Sequence, residues 1–139
     1  MTPINWSKVL VGGLVAGVIM NVSEYVLNEP VLGAQAAEHM ASLNLPPVGG
    51  SAIGVFILMT FALAFFTIWL YAAIRPRYGA GPKTAMCAGS AVWFAAYLTP
   101  WITFAVLGFS QTDMAVIGSV WGLAELLIAA VAGAYFYQE

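Results

Sequence analysis

The residues with chemistry to offer are few. Glu24 and Glu125 are carboxyls inside long apolar runs, and Asn21 and Tyr97 are polar groups in similar surroundings. A carboxylate in a membrane-spanning run costs on the order of 2.5 to 3.5 kcal/mol on insertion-based scales. Such a residue therefore needs a local partner or a functional reason. No lysine or arginine lies deep within an apolar run to neutralise either acid; Lys8 sits at the start of the first. The plainest reading of Glu125 is a structural hydrogen bond, with donors such as Tyr97 or Trp93. The functional alternative is a proton or cation path through Glu24 and Glu125. Both acids lie on small-residue faces: Gly13, Gly17, Met20 and Glu24 on one stretch, and Gly118, Gly122, Glu125, Ala129 and Gly133 on another. Gly13 and Gly17 form a GxxxG pair, and Gly118 and Gly122 repeat the spacing, which marks close helix approach. Both acids should then face protein.

Enzyme constellations are missing from the pattern. There is no glycine-rich phosphate loop and no HExxH motif, and the one histidine, His39, follows Glu38 in a polar stripe rather than beside a nucleophile. One histidine and one cysteine cannot make an intrachain zinc site of the usual kind. Cys87, set among small residues, reads as packing. Four basic residues against six acidic ones, for a net charge of −2, argue against nucleic-acid binding, which needs a basic patch to neutralise phosphates. We expect no catalytic residue, no metal and no cofactor, although bound lipid, pigment or quinone is compatible with the sequence.

The elements that position these residues are membrane helices. Only 7% of the residues are charged and 62% are hydrophobic, with mean hydropathy +0.90, whereas soluble domains carry about 25% charged residues. Four apolar runs, about residues 6–28, 51–74, 84–109 and 113–138, each match the ~20 residues that cross a bilayer core. The expected fold is an all-α, integral membrane four-helix bundle forming a single transmembrane domain over residues 1–139. The first run is expected to be retained rather than cleaved as a signal peptide.

Lys8, Arg75, Arg77 and Lys83 share one side if the spans alternate, and the other side's connections hold only acids. The positive-inside bias then puts both termini in the cytoplasm. Asn28-Glu29-Pro30 should end the first helix. Between the first two spans, Gln35, Glu38, His39 and Ser42 recur at helical spacing opposite Leu32, Ala36, Met40 and Leu43. That pattern predicts a short periplasmic interfacial helix over about 31–43. Phe61, Phe65 and Trp69 recur every four residues in the second span and read as packing or lipid contact. Thr99-Pro100 should kink the third span. At about 1.5 Å rise per residue, Asn21 and Glu125 come to similar depth, so a hydrogen bond between them is possible, with Glu24 a turn further out.

WLYAAIRPRYGAGPKTA (69–85), NVSEYVLN (21–28) and GSVWGLAE (118–125) resemble a family of small, functionally uncharacterised bacterial four-span membrane proteins. The resemblance implies a bacterial inner-membrane location and transfers no catalytic residue. The expected function is a non-enzymatic accessory or structural subunit of a larger inner-membrane complex, partnered by lipid and by other membrane subunits or by itself. The alternative is a small oligomeric proton- or cation-coupled transporter or channel using Glu24 and Glu125.

Overall fold

The computed structural model describes residues 3–138; Met1, Thr2 and Glu139, the ends of the single-domain reading, lie outside the described residues. Among the described residues the chain is all-helical. Four helical segments, Trp6–Val31, Gly50–Tyr78, Pro82–Val106 and Thr112–Phe136, are long and apolar enough to cross a membrane. These make it a multi-pass membrane protein. α1 runs Trp6–Val26 and is capped by Asn5, whose Oδ1 accepts from the Lys8 amide at 3.2 Å. This satisfies one of the amides that a helix start leaves unpaired.

α1 does not stop at Pro30. It continues through a π-helical turn, Leu27–Val31, in which the Leu32 amide reaches back five residues to the Leu27 carbonyl at 2.8 Å. Proline lacks an N–H and crowds the carbonyl four residues back, so a wider turn carries the chain past it. α2, Gly33–Ser42, follows the amphipathic stripe. Its underside Leu32 and Ala36 pack with Leu27, Met114, Trp101 and Trp121. Gln35 fastens its polar side by donating 2.7 Å bonds to Gln111 Oε1 and Asp113 Oδ2.

α3, Gly50–Tyr78, extends past the predicted end at 74 and through Pro76. Pro76 sits in the final turn, and Gly79, at φ +86°, closes the helix by donating from its amide to the Arg75 carbonyl at 2.8 Å. α4, Pro82–Trp93, starts with proline in its first turn, where no N–H is needed. A second π-helical turn, Phe94–Leu98, leads into α5, Thr99–Val106, with Pro100 at its start. α6, Thr112–Phe136, completes the chain.

α1 packs on α3 and α6, and α4 packs on α6 and α3. The glycines set these contacts in two ways. A Cβ on Gly12 would lie 2.5 Å from the Gly133 carbonyl oxygen, so the backbones of α1 and α6 touch there. Gly13 and Gly17 seat the rings of Phe65 and Phe61, while Gly118 and Gly122 seat those of Trp101 and Tyr97. The expected small-residue faces therefore serve mainly as sockets for aromatic rings, which fill the space a β-carbon would take. Met20, Ile68 and Leu126, from α1, α3 and α6, are fully buried, with Ile68 set against Gly12 and Gly133. In α3, residues 53–59 are all exposed, whereas Ala64, Thr67 and Ile68 are fully buried.

Candidate functional site

Glu24, Tyr97 and Glu125 come together from three separate helical segments. Glu125 lies in α6 on the buried face of Gly118, Gly122 and Ala129 and is 3% exposed. Glu24 lies in the last turn of α1 and is half-buried. Tyr97 lies in the second π-helical turn, its ring pressed on Gly122. Its hydroxyl stands 2.9 Å from Glu125 Oε1 and 3.3 Å from Glu24 Oε1.

The proton count at this bridge is informative. A phenol has one proton to donate. Both contacts are hydrogen bonds only when one carboxyl is itself protonated and donates to the Tyr97 oxygen. Asn28 donates from Nδ2 to Glu24 Oε2 at 2.9 Å and to the Glu24 carbonyl at 2.8 Å. Glu24 Oε1 and Glu125 Oε1, the two oxygens that face Tyr97, are the ones between which that proton is shared. With the proton on Glu24, Glu125 Oε1 accepts from Tyr97; with it on Glu125, Tyr97 donates to Glu24 instead. Two carboxylates in an apolar interior with no cation beside them are held at lowest cost when they share a proton in this way.

Glu125 Oε2 is buried and has no hydrogen-bond partner among the described residues. The neighbouring polar groups of Glu125 are Tyr97, Glu24 and the Ser23 hydroxyl. Ser23 Oγ accepts from Trp121 Nε1 at 2.9 Å, so it is held by the same helix that carries Glu125. Neither Ser23 nor Trp121 stood out in the sequence. Serine is common near helix ends, and the pairing spans 98 positions, so no local pattern signals it. From the sequence alone Asn28 reads only as part of a helix stop.

The other expected site residues fall as follows. Asn21 does not reach Glu125; its Nδ2 donates to the Gly17 carbonyl at 2.9 Å, one turn back on α1. Trp93, a candidate donor to Glu125, donates instead to the Ser119 carbonyl at 2.8 Å. Tyr97 is the donor that reaches both acids. No group of three or more His, Cys, Asp or Glu residues is placed to hold a metal ion among the described residues.

On one side of the site lie the exposed Asn28 and the half-buried Glu24. On the other lie Met20 and Leu126, fully buried and apolar, and further along Ile68 against Gly12 and Gly133. Thr67 is also fully buried, and its hydroxyl is spent on the Leu63 carbonyl at 2.8 Å. The site is thus polar toward the α2 end and sealed toward the other. The chain matches no known protein family, curated protein or solved structure.

Proposed function

We propose that this protein is a small proton-coupled transporter of the bacterial inner membrane, a four-helix bundle with both termini cytoplasmic and α2 at the periplasmic interface. The observation that carries the reading is the single Tyr97 hydroxyl bridging two carboxyls of unlike burial, 3.3 Å from Glu24 and 2.9 Å from Glu125. The transfer balances within these three groups. Glu24 gives its proton to the Tyr97 oxygen as Tyr97 gives its own to Glu125. Tyr97 ends unchanged, Glu24 ends ionised and Glu125 ends neutral. Asn28 stabilises the Glu24 carboxylate that results. Onward release needs a change in the buried apolar packing of Met20, Leu126 and Ile68, as a coupled transporter requires and an open channel does not. No cofactor enters the scheme.

Purified protein in liposomes carrying an internal pH-sensitive dye, driven by an imposed membrane potential, tests this. Wild-type vesicles should take up protons and Glu125→Gln vesicles should not, because glutamine keeps the shape but cannot accept the proton. Undiminished uptake in Glu125→Gln, or none in the wild type, would overturn the reading.

The accessory-subunit reading is favoured by one observation. Ile53, Val55, Phe56, Ile57, Leu58 and Met59 are exposed around the full turn of α3, more apolar helix surface than a self-contained bundle needs to present. Mild-detergent purification from source membranes separates the two readings. Stoichiometric recovery with a larger assembly supports the subunit, and a homo-oligomer supports the transporter.

A further inference from the structure

We propose that the groove between α1 and α3 is a binding site for one anionic phospholipid, its acyl chain among aromatic rings and its phosphate held by Arg77. The groove is lined by Trp6, Val9 and Leu10 of α1 and by Phe65, Phe66 and Trp69 of α3, and holds about 430 Å³. All six side chains are apolar or aromatic. Their placement follows from how the two helices pack. The Phe65 ring fills the notch at Gly13, and Ile68 turns inward to Gly12 and Gly133. Phe66, next in sequence to Phe65, faces away from the bundle and is 49% exposed, with Trp6 at 62% and Leu10 at 55%. Phe66 and Trp69 meet with ring centroids 5.4 Å apart, so one wall is a continuous aromatic surface.

A groove this apolar calls for a hydrocarbon occupant, and the charge at its end selects which one. α3 has 29 residues, about 43 Å at 1.5 Å each, against a bilayer core of about 30 Å. Its ends therefore reach past the hydrocarbon, and the arginines of its last turn stand at head-group level. Arg77 lies eleven residues beyond Phe66, three helical turns to within about 20°, so it continues the stripe that lines the groove. Ala73, on the same stripe between them, is small and exposed and leaves the way open. Side chains on a helix lean toward its N-terminus, which directs the Arg77 guanidinium back toward Trp69.

Arg77 is exposed, and among the described residues its guanidinium has no hydrogen-bond or ion-pair partner. Arg75, two positions earlier, is engaged elsewhere, over the Tyr137 ring. A guanidinium presents paired N–H donors that match a phosphate. Trp6 and Trp69 supply indoles of the kind that gather at the membrane interface. A zwitterionic lipid offers the same phosphate but carries its own cation beside it, so an anionic head group gains more from Arg77.

Native mass spectrometry of the full chain in detergent, titrated with dioleoyl phosphatidylglycerol or dioleoyl phosphatidylcholine, tests the site. The wild type should retain one phosphatidylglycerol more tightly than phosphatidylcholine. Arg77→Gln should weaken phosphatidylglycerol about fivefold, the contribution of one basic side chain near a membrane surface. Arg77→Lys keeps the charge and should keep most of the preference. Lys83→Gln removes an equal charge from the first turn of α4, off the stripe, and should change nothing. Leu10→Trp fills the groove and should abolish retention of either lipid while the thermal midpoint in detergent holds. Equal binding of the two lipids, or an equal loss in Lys83→Gln, would reduce the effect to the general charge of this end and overturn the site. Retention unchanged by Leu10→Trp would overturn the groove as its location. A wild-type dimer that retains no lipid and dissociates in Leu10→Trp would assign the groove to a second copy instead. None of these outcomes depends on proton transfer.

Discussion

At the scale of single residues the site depends on which oxygen holds which proton. Among the described residues Tyr97 is the one group hydrogen-bonded to both acids, and it approaches them from a ring seated on Gly122. Tyr97→Phe keeps the ring and its packing and removes only the bridge. Proton uptake in liposomes should fall by on the order of 10²-fold, the contribution typical of a positioned proton-transfer group, while thermal unfolding in detergent stays near wild type. Uptake at the wild-type rate would mean that water, not Tyr97, joins the carboxyls. Asn28→Ala makes a complementary case. Its side chain donates to Glu24 Oε2 at 2.9 Å and so supports the ionised form. Losing that donor should move the pH profile of uptake toward alkaline values, because Glu24 then gives up its proton less readily. An acidic shift would contradict the role given to Asn28.

At the scale of elements, two π-helical turns bring the site together. Each precedes or contains a proline, Pro30 in the first and Pro100 just after the second. A π-helical turn inserts one extra residue into a helix and changes which way the following side chains point. The second such turn carries Tyr97 itself. Replacing Pro100 with alanine should let α4 and α5 run on as one regular helix. The effect to measure is a loss of proton uptake out of proportion to any loss of stability. The glycine contacts act on stability instead. A Cβ on Gly12 meets the Gly133 carbonyl oxygen at 2.5 Å, and a backbone oxygen cannot rotate aside. Gly12→Ala should therefore cost about 1 to 3 kcal/mol, the usual penalty of overpacking, read as a lower midpoint in detergent denaturation. At Gly54 nothing lies within 4 Å of the added carbon, so Gly54→Ala should leave that midpoint unchanged or raise it slightly.

At the scale of the whole molecule the chain has one polar end and one basic end. Pro3, Ile4, Arg75, Pro76, Ala80 and Tyr137 border one cavity of about 230 Å³, which places the residues before α1, the residue after α6 and the α3–α4 turn together. Arg75 lies over the Tyr137 ring, 5.6 Å from its centre, and the Asn5 amide donates to the Tyr137 hydroxyl at 3.0 Å. The proposed orientation puts this end in the cytoplasm. In a Cys87→Ser background, a cysteine placed at Ala80 should resist a membrane-impermeant thiol reagent in intact cells, and one placed at Pro46 should react. The reverse pattern would invert the direction of proton entry proposed for Glu24.

The apolar runs alone determined that four helices are long enough to cross a membrane, because lipid leaves a backbone few alternatives to a helix. They also singled out Glu24, Tyr97 and Glu125, since a polar group in such a run is conspicuous. The amphipathic pattern of α2 was readable for the same reason, although its edges moved to Gly33–Ser42. Only the tertiary structure decided which polar groups meet. Asn21 shares the depth of Glu125 but turns to its own helix, while Tyr97 is re-aimed by a π-helical turn that no spacing rule announces. Ser23 and Trp121 stayed unremarked because their partnership exists only where α1 and α6 pack. A local pattern reports what each stretch must bury. Which buried groups share a proton depends on how the helices are set against one another.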